Sequence, residues 1–337
     1  MPYFVAYRQE KIVVVPALGH LYTVTQAEQG RSYPVFNVKW APLYQVKRKA
    51  SRVRFWLQVI SKLAEDADKF VDACDYDLEG SVIGYCVLKY GCGEKQSAAK
   101  RMRYSTLTRE ELQRAYDALL PHLDFALIES GLARHEVDWL YGINLSRALT
   151  AATKKASGYY ATLSTGRVQG PTLRFLVERE REITDFVPSP YWLLKAKVTV
   201  GEKQFDVTYK KNPIKTKEEA EKVAAACEGK RGVVESVEEK NLVLPPPAPF
   251  DLGALQSEAY SSFRYSPLRT STIAQQLYLG ALISYPRTSS QKLPPQIGYE
   301  DILRNLAEWR EYNQFARELL AKPKLKPNEG KNVDPAH

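Results

Sequence analysis

The stretch Leu282-Ile283-Ser284-Tyr285-Pro286-Arg287-Thr288 decides how this chain is read. Pro286 has no N–H for a sheet ladder and biases the residue before it toward an extended conformation. Tyr285 is therefore predicted to sit in an irregular segment with its hydroxyl exposed. Arg287, two residues on, reaches the same side of an extended segment, where its planar fork suits a phosphate and its charge favours phenolate. That help matters, because a free phenol has a pKa of about 10. A lone Tyr-Pro-Arg among 21 tyrosines is weak on its own. Its surroundings add weight. Ser271 to Gly280 reads as a capped helix with Ile273, Ala274 and Leu277 on one face and Gly280 as its stop. Before it, Asp251 is placed to cap a helix carrying Leu255, Ala259 and Phe263. Together they form a helix-turn-helix-like unit that ends at the tyrosine.

Far upstream lies Asp75-Tyr76-Asp77-Leu78-Glu79-Gly80. Phe70 to Cys74 reads as a buried strand, and the run through Val82, Ile83, Tyr85, Val87 and Leu88 reads as the next helix. The acids then stand at the carboxyl end of a strand in an α/β unit, where open sheets place ligands. Acids at i, i+2 and i+4 of an extended segment share a side and repel one another unless a cation lies among them. Mg²⁺ suits such a place, although a solvated acidic turn has the same composition.

Between these stretches, Arg134 and Asp138 are four apart on one helical face, the spacing of an ordinary surface ion pair. Leu163-Ser164-Thr165-Gly166-Arg167-Val168-Gln169-Gly170-Pro171 leads into a helix with Pro171 in its first turn, either a phosphate-holding loop or simply a helix start. Arg103 to Glu111 reads as a strand and then a helix capped by Thr108, with Glu111 as the capping-box partner. Ile12 to Val15 reads as a buried strand, followed by Gly19-His20, where the lone histidine also fits a satisfied core position. Tyr191 to Val200 and Gln204 to Tyr209 alternate like a hairpin, and a helix around Ala220 to Ala224 stops at Gly229. Val233-Val234 reads as a strand, and Pro245-Pro246-Pro247-Ala248-Pro249 is a stiff connector and domain boundary.

The chain has 337 residues, 44% apolar and 26% charged, enough for two or more cores. Its formal charge of +9 favours a polyanionic partner, since each neutralised phosphate releases counterions. Cys74, Cys86, Cys92 and Cys227 form no Cys-x-x-Cys pair. No apolar run has the length of a membrane span and no signal-peptide pattern opens the chain, so no membrane association and a cytoplasmic, nucleoid-associated location are expected.

The run from Pro249-Phe250 through Leu255-Gln256, Ile273-Ala274-Gln275-Gln276-Leu277-Tyr278 and the Tyr285 stretch resembles the nucleophile region of type IA DNA topoisomerases. Ser289 after the Thr, where many members carry Asp, resembles the archaeal branch. The acidic run is similar to the Asp-x-Asp-x-Glu motif of Toprim domains, with Leu78 where many members carry Arg. Ser164 to Gln169 resembles the family's Ser-x-Gly-Arg-Val-Gln signature, with Gly170 where many relatives have Ser.

The resemblance implies an α/β plus mainly α, multidomain fold. It comprises a Toprim-like domain over 1–125, a helical DNA-groove domain over 126–189, a β-containing linking domain over 190–248, a helix-turn-helix-like domain over 249–325 and the start of a return segment over 326–337. It implies Tyr285 as nucleophile, with Arg287, Glu79 and His337 as further catalytic residues. Asp75, Asp77 and Glu79 are implied to hold Mg²⁺, and Arg134, Asp138, Arg167, Gln169, Ser164 and His20 to contact DNA. The implied activity is ATP-independent breakage, passage and rejoining of single-stranded DNA through a 5′-phosphotyrosine, relaxing negative supercoils. Single-stranded or underwound DNA is the implied partner, with a helicase or single-strand-binding protein as helper and a monomeric enzyme.

Two departures are visible. The Glu that precedes Lys-Pro after the first Toprim strand has no counterpart, since Glu10-Lys11 stands before a strand and lacks the Pro. Asp334-Pro335-Ala336-His337 resembles only the opening of the segment with the active-site His. A fragment truncated at both ends, with impaired catalysis, is therefore expected. The alternatives left open are a Toprim-type nuclease or primase-like protein, which needs the acids without Tyr285, and a non-catalytic single-strand-binding module, which needs neither.

Overall fold

The computed structural model describes residues 3–8, 10–30, 32–293 and 297–334. The described residues fall into two compact units, bounded as Met1–Arg167 with Pro245–His337, and Val168–Leu244.

The first unit begins with the antiparallel pair β1 (Phe4–Tyr7) and β2 (Lys11–Val14), followed by the antiparallel pair β3 (Tyr22–Gln26) and β4 (Val38–Pro42). The prediction that Ile12 to Val15 is a buried strand is corrected here. Among the described residues β1 and β2 pair only with each other, and Phe4 is 70% and Val14 51% exposed. The burial lies in the next layer. After a short helical turn, α1 (Leu43–Val46), the amphipathic α2 (Arg52–Glu65) turns Leu57 and Ile60 inward. They meet Leu21 and Tyr22 near the start of β3, and Val82 and Cys86 of α3 (Leu78–Cys86). A second cluster, Leu88, Ala99, Leu123 and Ile128, continues that core toward the long helix α5 (Phe125–Ser157).

The strand expected from Phe70 to Cys74 is much shorter. β5 (Val71–Asp72) pairs in parallel with β6 (Lys100–Arg101), and β6 replaces the strand expected around Arg103 to Leu107. The α/β character thus rests on this small parallel pair within a helix-rich unit. Thr108 does occupy the cap position of α4 (Arg109–Asp117), but its side chain makes no capping bond. Glu111 instead accepts from Ser105 N at 2.8 Å and Thr106 Oγ1 at 2.7 Å, so the loop takes up the acceptor that a capping box would have offered to the Thr108 N–H.

Toward the C-terminal side, α8 (Leu252–Phe263) is capped by Asp251, which accepts from Ala254 N at 2.7 Å. α9 (Pro267–Leu279) starts a turn earlier than Ser271, because Ser266 caps it and Pro267 opens its first turn, and Gly280 closes it. Two further helices, α10 (Tyr299–Ala307) and α11 (Asn313–Leu320), follow.

The second unit holds α6 (Gln169–Thr184), the hairpin β7 (Lys195–Val200) with β8 (Lys203–Thr208), and α7 (Lys217–Cys227). Gly229 follows α7 at φ +69°, as its expected role as a stop requires. Val233-Val234 forms no strand: Val233 is 92% exposed, and no described strand pairs with it. Among the described residues, no helix is long and apolar enough to cross a membrane.

Candidate active site

The loop from Asp72 to Asp77 is built around a buried cation. Arg101, 1% exposed, donates through Nη1 to the carbonyls of Asp72 at 3.0 Å and Cys74 at 2.7 Å, and through Nη2 to that of Asp75 at 2.7 Å. The Tyr104 hydroxyl adds a 2.7 Å bond to the Ala73 carbonyl. Backbone oxygens that a sheet would have satisfied are thus held by side chains, and the loop is fixed without a longer strand. Gly80 lets the loop fold back on α3, because a Cβ there would fall on the Asp75 carbonyl oxygen.

α3 begins at Leu78, and this divides the three acids. Asp77 is its N-cap, with Oδ1 accepting from Gly80 N at 2.6 Å. Glu79 already lies in the first helical turn, so the expected alternation along an extended segment, with all three acids on one side, does not extend to it.

Asp75 and Asp77 face two tyrosines from the far end of the chain. The Tyr285 hydroxyl donates to Asp77 Oδ2 at 2.5 Å, and the Tyr278 hydroxyl donates to Asp75 Oδ1 at 2.9 Å. The two rings meet edge to face with centroids 5.3 Å apart. Tyr278 projects from the last turn of α9, and Tyr285 follows in the irregular segment, its N–H bonded to the Ser105 carbonyl at 2.8 Å. Tyr285 was predicted to be exposed; it is 3% exposed. Pro286 does keep the segment out of a helix or ladder, but the segment folds onto the 75–77 and 105 loops. Burial, then the bond to Asp77 and the charges of Asp77 and Asp75, push the Tyr285 phenol above its ordinary pKa, while Arg287 acts in the opposite direction. Arg287 itself is exposed.

Glu79 faces a different group. His20 and His135 each donate Nε2–H to its Oε2, at 2.8 Å and 2.9 Å, and Arg134 Nη1 lies 3.5 Å from Oε1. Burial raises the Glu79 carboxyl, but the bonds and charges of His135 and His20 outweigh it and leave the group below its ordinary value. His20 is shifted down, chiefly by burial. His135 had no assigned role in the sequence reading. It lies beside Arg134 on a helix whose amphipathic pattern draws attention to charged and apolar positions instead. Tyr278 and Arg101 were missed for the same reason: only the fold brings them to the acids.

The Arg134–Asp138 pair expected from helical spacing is loose at 3.9 Å. Asp138 is held instead by Arg167, which bonds both carboxylate oxygens. The segment before Arg167 is fixed to α5 by two residues a turn apart. Thr150 Oγ1 accepts from Leu163 N at 3.0 Å, and Ser146 Oγ accepts from Thr165 N at 3.0 Å, leaving Ser164 between them exposed. Arg134, Asp138, Arg167 and Ser164 therefore lie on or against α5, and His20 joins the group through Glu79. Gln169 is in the second unit, at the first position of α6. His337 lies outside the described residues.

The donor set bears on the metal that the motif resemblance implies. Asp75 and Asp77 each accept a tyrosine hydroxyl through one carboxylate oxygen, and carboxylate oxygen is the donor type a hard cation takes. Glu79 is committed to the two imidazoles, and among the described residues the group whose ligand atoms converge is His20, Glu79 and His135.

A model of the DNA topoisomerase family matches residues 122–337. Over its whole length the chain is 47% identical to DNA topoisomerase 1 of Pyrococcus horikoshii, covering 49% of that protein. It is 44% identical to DNA topoisomerase 1 of Methanothermobacter thermautotrophicus over 97% of this chain and 45% of the relative. With DNA topoisomerase 3 of Salmonella typhimurium it shares 32% identity over 96% of this chain and 53% of the relative. The chain thus spans about half the length of the curated relatives it matches. Full-length topoisomerase I from Thermotoga maritima has a similar fold, with a TM-score of 0.60 at 23% identity, covering 90% of this chain and 49% of that one. The chain belongs to the DNA topoisomerase family, of the type IA kind that its motifs resemble.

Proposed function

We propose that this chain carries the cleavage and rejoining centre of a type IA topoisomerase acting on single-stranded or underwound DNA. The observation that carries the reading is the 2.5 Å bond from the Tyr285 hydroxyl to Asp77, between residues 208 positions apart. In this reading Tyr285 passes its proton to Asp77 as Oη bonds to phosphorus. The bond from phosphorus to the 3′ oxygen breaks, and that oxygen leaves as a hydroxyl after taking a proton from the group of Asp75, Asp77 and Glu79. The products are a 5′-phosphotyrosine and a free 3′-hydroxyl. Reversal reseals the strand, and since the ester keeps the bond energy, no ATP is consumed. Arg287 offsets the charge of the transferring phosphate.

The buried, protonated Tyr285 belongs to a closed resting state. A strand reaches Oη only when the 282–288 segment separates from the 75–77 loop. Asp75 and Asp77 are the residues that would hold Mg²⁺, whose positive charge would offset that of the phosphate at the break. Arg134, Asp138, Arg167, Ser164 and Gln169 form the proposed DNA-binding set, and His20 acts through Glu79. The five-part division of the chain, a monomeric enzyme, a helicase or single-strand-binding helper and a nucleoid-associated location belong to the same proposal.

The test is a denaturing gel of the protein with end-labelled single-stranded DNA and Mg²⁺. A covalent adduct that disappears in Tyr285→Phe is expected. Metal-dependent nicking that survives the substitution would point to the nuclease reading, and salt-sensitive binding without any break to a binding module.

A further inference from the structure

We propose that His20, Glu79 and His135 form a binding site for a borderline transition-metal dication of the Zn²⁺ or Co²⁺ class, separate from the Asp75–Asp77 pair. The three ligand atoms come from three elements 115 positions apart at the extremes, and all lie within 4.8 Å of one another. Both imidazoles present the same nitrogen to the same oxygen, one placed by a backbone turn and the other by a ring contact. His20 follows Gly19, whose φ of +78° turns the chain just before β3. His135 is set against the Trp40 ring at 5.8 Å and the His20 ring at 4.9 Å, and Trp40 is anchored by its Nε1–H bond to Glu136 at 3.1 Å. Gly131, one turn before His135, brings α5 against α3, since a Cβ there would strike the Val82 side chain. The ligands are thus oriented before any ion arrives.

The donor chemistry selects the ion. Two imidazole nitrogens and one carboxylate oxygen match Zn²⁺ and Co²⁺, whereas Mg²⁺ prefers an all-oxygen shell. Zn–N and Zn–O bonds are about 2.0–2.2 Å, so an ion bound between them requires the two Nε2–Oε2 spacings of 2.8 Å and 2.9 Å to open by roughly half an ångström. The imidazoles keep one proton each by moving it to Nδ1. His20 and His135 side chains are 30% exposed and Glu79 33%, which gives the ion an entry path and leaves positions open for water or a phosphate oxygen. Arg134 opposes binding by charge, but it approaches the other carboxylate oxygen. Being 49% exposed, with Asp138 as an alternative partner, it can swing aside. The bound ion takes up Glu79, so it also slows strand breakage; that consequence rests on the proposed function, and binding itself does not.

The experiment is titration with Co²⁺, followed by visible absorption and calorimetry, in a Cys227→Ser background that removes the exposed thiol. One equivalent of Co²⁺ with nitrogen and oxygen ligation is expected, displaced by Zn²⁺ and not by excess Mg²⁺. His20→Gln and His135→Gln should each weaken it by more than about tenfold, since even an outer-shell loss costs about 10–100-fold. Tyr285→Phe should leave it unchanged, and circular dichroism identifies which variants are folded. Displacement by Mg²⁺, undiminished affinity in both folded His variants, or no Co²⁺ uptake by the parent chain would overturn the site. If both His variants fail to fold, loss of Co²⁺ from folded Glu79→Gln supports the site and retention overturns it. None of these results depends on the covalent adduct in Mg²⁺, so the two proposals fail separately.

Discussion

Two halves of one short segment behave differently. Asp75 and Asp77 face phenols from residues 278 and 285, whereas Glu79, two positions on, faces imidazoles from residues 20 and 135. The cause is local: α3 starts at Leu78, so Asp75 and Asp77 stand in the loop before the helix while Glu79 takes its direction from the first helical turn. An acidic run that looks uniform as a string is, in three dimensions, the meeting point of two chemistries. One side pairs carboxylate with hydroxyl, through Tyr285 and Tyr278. The other pairs carboxylate with nitrogen bases and is held by α5.

The strongest way to break this division is on the phenol side. Tyr285→Phe removes the hydroxyl and should abolish the covalent adduct, while the edge-to-face contact with Tyr278 keeps the fold. Asp77→Asn comes next. Asn keeps the helix cap, so stability changes little, but the proton acceptor is lost, and strand breakage should fall by roughly 10²–10⁴-fold, the usual contribution of a general base. Single-turnover cleavage together with thermal melting separates the two effects. If breakage is unchanged, Asp77 is only a cap.

Gly131→Ala probes the helix contact that brings His135 to Glu79. The added methyl meets Val82 and Leu78 and should cost about 1–3 kcal/mol, as overpacking usually does, read as a lower urea midpoint. Tyr278→Phe leaves Asp75 without its hydroxyl donor and should cost about 1 kcal/mol, the typical net value of a hydrogen bond.

The smallest effect is the pH dependence of Asp138. The Arg167 bond, with the charges of Arg167 and Arg134, holds its carboxyl below its ordinary value against the opposing effect of burial. A depressed folded pKa contributes stability above the unfolded value near 3.8 that is lost as pH falls through the folded value. Asp138→Asn should therefore differ from the parent at neutral pH by no more than about 1 kcal/mol, as exposed pairs do, and converge with it in acid. Urea midpoints against pH check this.

The same division explains what the sequence disclosed. Caps and stops are written within a few residues, and Asp251, Gly280 and Gly229 could be read in place. So could the 195–208 hairpin and the motif residues Asp75, Asp77 and Tyr285. What depends on distant partners could not. Tyr285 is buried because Asp77 and the Ser105 carbonyl receive it, and no local pattern announces that. Arg101 looks like one more basic residue in Lys100-Arg101-Met102-Arg103 until four carbonyls converge on it, those of Asp72, Cys74, Asp75 and Met102. His135 shows its role only when Gly131 lets α5 approach α3. Val233-Val234 misled in the other direction: β-branched residues favour a strand only where a partner strand or core receives them.

The central claim is that the Tyr285 oxygen is the atom that joins DNA. Proteolysis and mass spectrometry of the adduct trapped on single-stranded DNA test it most directly. A 5′-phosphate linked to the peptide containing Tyr285, with the released fragment ending in a 3′-hydroxyl, is the expected result. A linkage on any other residue, or through a 3′-phosphate, would contradict the account.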